Sequence, residues 1–315
     1  MKIVVVDHVY LEEQHVARLR KLGELEIFGD PPSSDDELKR RIRGSDIVIV
    51  GWSHLTGDII NSATSLKMIA IWATSCHYAD LEAAKERGIM VTHVPAYSTE
   101  SVAEHAFALL LAAARRLRTA DEHVRKGEFD WRPLGGVELA GKTLGLVGTG
   151  AIGFRVAEIA KAFKMRLLGF DKVHNMKRAE QVGLQFVDLQ TLLKESDIIS
   201  AHVTLTPETT GMIGKNEISL MKKGAILINT SQGKVVDEKA LVDALRSNKL
   251  SYAGLDVFAE EPPAHDNPLF DLANTVLSPH IGFHTAEAKV RCTDICIENV
   301  ERFLAGQPQN MCGAS

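Results

Sequence analysis

The chain has few cysteines, and they follow no recognisable pattern. Its 315 residues include four, Cys76, Cys292, Cys296 and Cys312. They lack the Cys-x-x-Cys spacing of zinc sites, and their density is far below that of a secreted disulfide scaffold. The sequence therefore predicts reduced thiols, a cytoplasmic location and no metal site.

An excess of positive charge and long apolar runs are also missing. The net charge of -5, with both signs interspersed, leaves no basic stripe to neutralise phosphates, which argues against nucleic acid as a partner. The strand-like residues 2–6 begin without a signal-peptide pattern, and no apolar run approaches the ~18 residues that a membrane span needs. We therefore expect a small-molecule substrate and no membrane partner.

What is present is an alternation of short β-branched runs with amphipathic helical segments, which is typical of parallel sheets with helical crossovers. The length predicts about two domains. The first series of strands is predicted at residues 3–6, 25–28, 47–50, 68–72 and 90–94. The second is predicted at residues 143–147, 166–170, 185–187, 198–203, 225–229, 252–257 and 275–277. The predicted fold class is α/β, with two doubly wound parallel-sheet (Rossmann-like) domains.

Residues 101–114, between the two series, are apolar on nearly all sides, so a helix there must be buried on most of its surface. We interpret it as an interdomain or dimer-interface helix, and the alternative is the core of one domain. A last helix is predicted at residues 285–304 and should pack back on the first series. This predicts one domain of residues 1–99 plus 285–315, a second of residues 100–284, and a homodimer through the 101–130 region.

The strand at residues 143–147 leads into a turn with the spacing of a phosphate-binding site. The turn contains Gly148, Gly150, Ala151, Ile152 and Gly153, and a helix follows. Gly148 permits the turn, Gly150 lets the backbone approach a pyrophosphate, and Gly153 allows close helix-to-strand packing. The helix N-terminus offers N–H groups to the anion. A purely structural glycine turn is the alternative.

Asp171 ends the next strand, where a carboxylate can accept hydrogen bonds from both hydroxyls of an adenosine ribose and would repel a 2′-phosphate. The sequence therefore predicts NAD as cofactor and residues 100–284 as a Rossmann domain. The flavodoxin-like first domain is then the substrate domain. Lys172, His174 and Lys177 follow closely and could soften the preference for NAD over NADP.

Three later segments, at residues 228–238, 254–262 and 277–282, begin where strands end, and open parallel sheets bind ligands at that edge. Together with the glycine turn and Asp171, three motifs carry a resemblance to the D-isomer-specific 2-hydroxyacid dehydrogenase family over nearly the whole chain. These motifs are Val102-Ala103-Glu104-His105, the Asp256-Val257-Phe258 run that ends at Pro262, and Ser278-Pro279-His280.

The resemblance implies an NAD-dependent oxidoreductase that transfers a hydride between NAD(H) and a 2-hydroxy or 2-oxo acid. His280 matches the family's general acid/base, and Glu261 matches the glutamate that orients it. A hydride that leaves the substrate carbon must be matched by a proton from its hydroxyl, and imidazole titrates near neutral pH. Glu260 is the competing partner, but alternation along the chain would turn it away.

The resemblance also implies further cofactor contacts. Thr230 and Ser231 should flank the nicotinamide, Asp256 should touch its carboxamide, and His202 with Val203 should lie under the pyrophosphate. The remaining predicted cofactor-binding residues are Thr74 and Gly282.

Two departures from the family pattern leave the substrate open. Gln232 stands where the family has an arginine that holds the substrate carboxylate and polarises its carbonyl, so it is the third predicted catalytic residue. Residues 73–80 replace a Gly-x-Gly loop that receives the same carboxylate. We hypothesise a site reworked for a different or larger substrate, with candidate contacts at Trp52, His54, His77 and Tyr78.

Two alternative functions follow from the same sequence. One is a phosphite- or formate-type dehydrogenase of this fold. Glu261 argues against formate, because formate enzymes resemble this family but carry glutamine there, and phosphite would need more positive charge than Gln232 supplies. The other is a non-catalytic NAD(H)-sensing corepressor, against which the retained His280 and Glu261 argue.

Overall fold

The computed structural model describes residues 1–313. Over these residues the strands are β1 (Lys2–Val5), β2 (Glu24–Ile27), β3 (Ile47–Val50), β4 (Met68–Ile71), β5 (Met90–Thr92), β6 (Thr143–Val147), β7 (Arg166–Phe170), β8 (Leu184–Phe186), β9 (Ile198–Ala201), β10 (Ala225–Asn229), β11 (Leu250–Leu255) and β12 (Thr275–Leu277). Each strand overlaps one that the sequence predicts.

The helices of the described chain are α1 (Glu13–Leu22), α2 (Asp35–Ile42), α3 (Gly57–Ser62), α4 (Leu81–Glu86), α5 (Thr99–Ala114), α6 (Leu117–Arg125), α7 (Ala151–Ala162), α8 (Met176–Val182), α9 (Leu189–Glu195), α10 (Lys215–Leu220), α11 (Glu238–Arg246) and α12 (Ala286–Leu304). Short 3₁₀ turns lie at Cys76–Tyr78, Arg132–Leu134 and Gly233–Val235. None of these helices combines the length and apolar character needed to cross a membrane.

The chain divides into two compact units. Within the described residues, unit 1 contains 1–98 and 284–313, and unit 2 contains Thr99–Phe283. These boundaries lie one residue from the predicted ones. The roles of the two units as substrate domain and cofactor domain remain predictions.

Unit 1 is built on five parallel strands in the order β2-β1-β3-β4-β5, the flavodoxin-like order. Strands β1, β3 and β4 are almost entirely buried, because helices cover a parallel sheet on both sides, whereas the edge strand β2 is mostly exposed. The helix α12 completes this unit. Trp72 Nε1 donates to Thr293 Oγ1 at 3.0 Å, and Arg18 pairs with Asp294 at 2.7 Å.

Unit 2 is built on seven parallel strands in the order β12-β11-β10-β9-β6-β7-β8. The chain starts in the middle at β6, runs outward to β8, and returns to β9 on the other side of β6. Ligands of doubly wound sheets bind where the strand order reverses in this way. The predicted fold class, two doubly wound parallel-sheet domains, is confirmed.

The apolar helix α5 belongs to the core of unit 2. Its buried residues, among them Phe107, Leu109 and Leu110, join the cluster formed by strands β6, β7, β9 and β10 and helix α7. A Cβ at Gly254 in β11 would lie 2.9 Å from Leu109 Cβ, so glycine lets the helix lie directly on the sheet. The buried face of α5 therefore lies in the core of one domain, which was the alternative interpretation. The interpretation as an interface element is wrong for this face.

The cysteines correct a second expectation. Cys76 and Cys312 of unit 1 form a disulfide with a Cα–Cα distance of 6.0 Å, whereas Cys292 and Cys296 are free and buried in α12. The prediction of reduced thiols is wrong for the bonded pair. Its partners are separated by 236 positions, and only the fold brings them together.

Candidate active site

The glycine turn of unit 2 lies at the switch point between β6 and β9. Gly148 has φ of 98°, and a Cβ there would lie 2.6 Å from His202 O. A Cβ at Gly153 would lie 2.2 Å from Gly148 O. These two positions need glycine because the turn, the start of α7 and the end of β9 are in direct contact.

Gly150 differs from these two positions, because no contact within the described protein requires glycine there. It precedes α7, and a Cβ there would meet no protein atom within 4 Å. The first turn of the helix, with Ala151, Ile152 and Gly153, presents backbone N–H groups that have no partner within a helix. Open space beside free N–H groups at the positive end of a helix fits the pyrophosphate of a dinucleotide.

Asp171 is fixed beside the turn. Its Oδ2 accepts from Thr149 N at 2.6 Å and Thr149 Oγ1 at 3.1 Å, and its Oδ1 accepts from Val173 N at 3.1 Å. Partial burial alone would raise the pKa of this carboxyl, but these hydrogen bonds outweigh it and lower the pKa. Asp171 is therefore a positioned negative charge. His174 stacks on Phe186 with ring centroids 4.1 Å apart.

His202 and Val203 follow β9 on the other side of the switch point. His202 N donates to Val147 O at 2.7 Å, and its Nε2 bonds with Ser200 Oγ at 2.8 Å. Burial lowers the pKa of His202 to about 4, so the ring is neutral at pH 7. Its Nδ1 is buried without a partner among the described residues. The pair borders the turn, as the predicted pyrophosphate contact requires.

Asp256, at the end of β11, is a buried carboxylate that organises the next loop. It accepts from Ser278 Oγ at 2.6 Å, Ile281 N at 2.9 Å and Gly282 N at 2.7 Å, and His105 Nε2 lies 3.2 Å away. Burial would raise its pKa, but these bonds lower it. The predicted contact of Asp256 with the nicotinamide carboxamide remains a prediction.

Sequence reasoning missed the part that His105 and Ser278 play in this hydrogen-bond network. His105 Nε2 and Ser278 Oγ are 2.8 Å apart. Both lie in motifs that carried the family resemblance, but the motifs do not reveal that α5 and the loop after β12 meet at one carboxylate.

The same loop carries His280. His280 N donates to Asp256 O at 2.8 Å, and its backbone is in the left-handed region with φ of 53°, a conformation that non-glycine residues adopt mostly where surrounding structure enforces it. His280 Nδ1 lies 2.7 Å from Glu261 Oε2, and Glu261 Oε1 accepts from Phe258 N at 3.0 Å. The side chains of His280 and Glu261 are 46% and 37% exposed. Both carboxylate oxygens of Glu261 thus act as acceptors, and the imidazole Nε2 is left for another partner.

A cavity of about 440 Å³ borders this pair. Its walls are mostly apolar: Phe258, Pro262, Pro263, Phe270, Leu277 and Pro279, with Ser278, His280 and Glu261. Glu260, the competing partner, is exposed, and no hydrogen bond of its side chain is found among the described residues.

The turn after β10 carries the other predicted residues. Asn229 holds it, because Nδ2 donates to Gln232 O at 2.9 Å and Oδ1 accepts from Ser231 N at 3.0 Å. Thr230 is buried, and its Oγ1 has no partner among the described residues. The Gln232 side chain is exposed and makes no hydrogen bond within residues 1–313. A Cβ at Gly233 would lie 1.8 Å from Phe258 O, so this turn lies against the loop that leads to Glu261.

The remaining predicted residue, Thr74, lies in unit 1. Its Oγ1 donates to Val94 O at 3.1 Å. Nearby, three aromatic rings form a cluster, which we call the ring cluster: His54, His77 and Tyr78, with centroids between 4.2 and 5.4 Å apart. Burial, followed by the charge of His54, lowers the pKa of His77.

Unit 1 also holds the loop after β3 in place. The buried Asp7 carboxylate accepts from Gly51 N at 2.7 Å, Trp52 N at 2.9 Å and Ser53 N at 2.6 Å. This loop leads to His54, so Asp7 helps to position the ring cluster.

Comparison with known proteins identifies the class. Residues 107–282 match the family described as "D-isomer specific 2-hydroxyacid dehydrogenase, NAD binding domain". The chain therefore belongs to the D-isomer specific 2-hydroxyacid dehydrogenase family. As a member of this family it is an NAD-dependent oxidoreductase.

Individual relatives agree with this class. The glyoxylate reductase of Thermococcus litoralis is 42% identical over 311 residues, which cover 96% of this chain and 94% of the relative. The D-3-phosphoglycerate dehydrogenase of Archaeoglobus fulgidus is 39% identical over 98% of this chain, which spans only 58% of that relative's length. A solved structure of an acyclic imino acid reductase in complex with NADPH and D-Arg has a TM-score of 0.90 and 39% identity, and the match covers 99% of this chain and 100% of that one.

Proposed function

We propose that the protein interconverts a 2-hydroxy acid and the corresponding 2-oxo acid with NAD(H), at a site whose carboxylate-binding elements have been replaced. The observation that carries this proposal is the 2.7 Å contact between His280 Nδ1 and Glu261 Oε2, in the same unit as the glycine turn that fits a dinucleotide. Paired proton-transfer groups at strand ends are what such chemistry needs.

In this proposal His280 moves the proton. Bound NADH supplies a hydride to the carbonyl carbon, and NAD⁺ accepts one in the reverse direction. During reduction His280 donates a proton from Nε2 to the carbonyl oxygen, and during oxidation Nε2 takes it back. Glu261 accepts a hydrogen bond from Nδ1–H in both directions, which keeps the ring oriented with Nε2 towards the substrate.

Gln232 distinguishes this site from the family pattern. An amide can donate one hydrogen bond to a carboxylate or carbonyl, but it lacks the charge and the two-pronged geometry of a guanidinium. The other departure from the family pattern lies in unit 1, where residues 73–80, with His77 and Tyr78 of the ring cluster, stand in place of the family's carboxylate loop. We propose that these rings favour a substrate with a large, planar side chain over glyoxylate.

A second candidate is the reduction of a 2-imino acid, which Gln232 also favours. A protonated imine carries a positive charge on its C=N group, so it needs no cation to polarise it, and a guanidinium beside it would repel it. The similarity to the imino acid reductase supports this candidate. Oxidation of NADH that requires both a 2-oxo acid and ammonia would identify it, whereas oxidation without ammonia identifies the first candidate.

We propose NAD over NADP as the physiological cofactor because Asp171 is an ionised carboxylate at the ribose position of the fold. The relative titration of NADH and NADPH, for wild type and Asp171→Ala, tests this. We expect NADH to bind more tightly to wild type and the preference to shrink in the variant.

The decisive experiment is a screen of NADH oxidation across 2-oxo acids of graded size. His280→Ala should lower turnover of any active substrate by about 100-fold or more, as loss of a general acid does, while NADH still binds. His265→Ala, an exposed histidine of the loop before β12, is the matched control and should keep wild-type turnover. Turnover that survives His280→Ala would contradict the proposed proton donor.

We also propose a cytoplasmic homodimer that associates through the 101–130 region. Leu117, Val124 and Phe129 of this region, with the neighbouring Trp131, expose large apolar side chains, and Phe129 is 94% exposed. Large apolar side chains exposed to this degree within one short stretch of the chain support an interface there. Sedimentation analysis should give a dimer for wild type and a shift towards monomer for Phe129→Ser with Trp131→Ser.

A further inference from the structure

Two cysteines far apart in sequence meet at the loop that follows β4. Cys76 begins the 3₁₀ turn Cys76–Tyr78, and Cys312 lies in the C-terminal segment. Their Cα separation of 6.0 Å lies within the range that a disulfide spans without backbone movement. Both residues are partly exposed, so small thiols can reach them.

The other two cysteines behave differently. Cys292 and Cys296 are buried in α12, and burial raises the pKa of both thiols, that of Cys296 to about 12. Because the thiolate is the reactive form, these two stay unreactive at neutral pH. Thiol chemistry in the described chain is therefore concentrated on Cys76 and Cys312.

The Cys312 side of the bond is anchored without the disulfide. Cys312 N donates to Val91 O at 2.8 Å, and His93 N donates to Asn310 O at 3.0 Å, so the segment pairs with the edge strand β5. Asn310 Nδ2 also donates to Asn299 Oδ1 of α12 at 2.9 Å. We expect this segment to stay in place when the disulfide is reduced.

The Cys76 side is held at its ends. His93 Nδ1 lies 2.7 Å from Thr74 O, and Leu55 N donates to Tyr78 O at 2.8 Å. Between these anchors lies the exposed turn that carries His77, whose ring bonds with Ser75 Oγ of the same turn. The disulfide links the middle of this turn covalently to the C-terminal segment that pairs with β5. Reduction breaks this covalent link to the turn that carries His77 and Tyr78, two of the three residues of the ring cluster.

We propose that Cys76 and Cys312 form a thiol–disulfide site whose oxidation fixes the ring cluster and whose reduction loosens it, so that the redox state sets substrate selectivity. In the oxidation step the two thiols lose two protons and two electrons and form one S–S bond. The oxidant, a low-molecular-weight disulfide such as oxidised glutathione, takes them up as its own S–S bond breaks to give two thiols. The effect on selectivity rests on the proposed function, whereas the thiol–disulfide site does not.

The experiment poises the whole protein in glutathione buffers of different ratio and follows three readouts. They are the number of thiols that react under native conditions, hydrogen–deuterium exchange of residues 74–78, and the ratio of KM for an aryl-substituted 2-oxo acid to KM for glyoxylate. We expect two reactive thiols in reducing buffer and none in oxidising buffer. Exchange should be at least tenfold faster when reduced, and the KM ratio should change severalfold.

Two variants sharpen the test. Cys312→Ser should show the reduced-state exchange rate and KM ratio in every buffer, whereas Cys296→Ala should respond to the buffers like wild type. Two reactive thiols at every buffer ratio would overturn the proposal. So would a disulfide that forms while exchange at residues 74–78 stays unchanged. If no 2-oxo acid in the screen is turned over, only the proposed function is contradicted. The thiol count and the exchange rate still decide whether the thiol–disulfide site exists.

Discussion

Replacing Glu261 by glutamine removes the negative charge of the residue that contacts His280 but keeps the size and shape of its side chain. In the structure both carboxylate oxygens accept: Oε2 lies 2.7 Å from His280 Nδ1, and Oε1 accepts from Phe258 N at 3.0 Å. An amide of the same shape offers one acceptor and one donor. Glu261→Gln must therefore lose one of the two bonds or force His280 Nδ1 to become an acceptor, which the proposed proton transfer does not allow.

The size of the effect follows from those bonds. A hydrogen bond to a charged group contributes about 1.5 to 3 kcal/mol, against about 0.5 to 1.5 kcal/mol for a neutral pair. Because the side chains of His280 and Glu261 are 46% and 37% exposed, water screens their attraction, and the loss should lie near about 1.5 kcal/mol. One such loss in the transition state corresponds to roughly a tenfold fall in kcat/KM.

Steady-state NADH oxidation at saturating cofactor measures this fall, and Glu260→Gln is the matched control. Glu260 is the preceding residue, is exposed, and loses the same charge on substitution. We expect less than a twofold change for Glu260→Gln. Equal losses in both variants would refute the reasoning, because they would show that the general negative charge of the loop matters and the contact with His280 does not.

The remaining predictions concern the substrate site, the cofactor turn and pH. Gln232→Arg should raise kcat/KM for small 2-oxo acids by about 10- to 100-fold, from a restored charged hydrogen bond; a fall for every acid in the screen would show that another group already binds the carboxylate. Gly150→Ala should leave the thermal midpoint unchanged and weaken NADH binding. Gly153→Ala should lower the thermal midpoint, because a Cβ there would lie 2.2 Å from Gly148 O. Calorimetry measures the midpoint, and fluorescence titration measures NADH binding. The pKa of His202 is about 4 in the folded protein against 6.5 for the ordinary group, so the unfolded chain binds the extra proton. Stability should therefore fall by up to about 3 kcal/mol as pH drops from about 6.5 to about 4, and urea unfolding of His202→Gln should lack this loss.

The sequence contained most of the information on the fold. Buried parallel strands are short β-branched runs, and helices separate them, so periodicity and composition locate all twelve strands of the described residues. The same logic failed for α5, because an apolar helix has the same pattern whether it is buried in one domain or between two. The packing of its buried residues against β6, β7, β9, β10 and α7, and the contact of Gly254 with Leu109, decide between these cases.

Local sequence motifs predicted parts of the candidate site, but they did not predict contacts between residues that are distant in the sequence. The strand end located Asp171, because a parallel sheet gathers such ends at one edge, whereas the roles of Glu261 and His280 came from the family resemblance and remain predictions. The bond between Cys76 and Cys312 could not be predicted, since it spans 236 positions and depends on the C-terminal segment pairing with β5.

The order of the units along the chain has a consequence for synthesis on the ribosome. Unit 2 is one continuous stretch, Thr99–Phe283, so it can fold as soon as it leaves the exit tunnel. Unit 1 folds later, because its sheet is translated before unit 2 whereas α12, which covers β4, is translated after it. Until then the side of the sheet that holds Trp72 lacks its cover. A nascent chain stalled before residue 286 should therefore recruit chaperones through its first hundred residues, while the middle of the chain already resists protease.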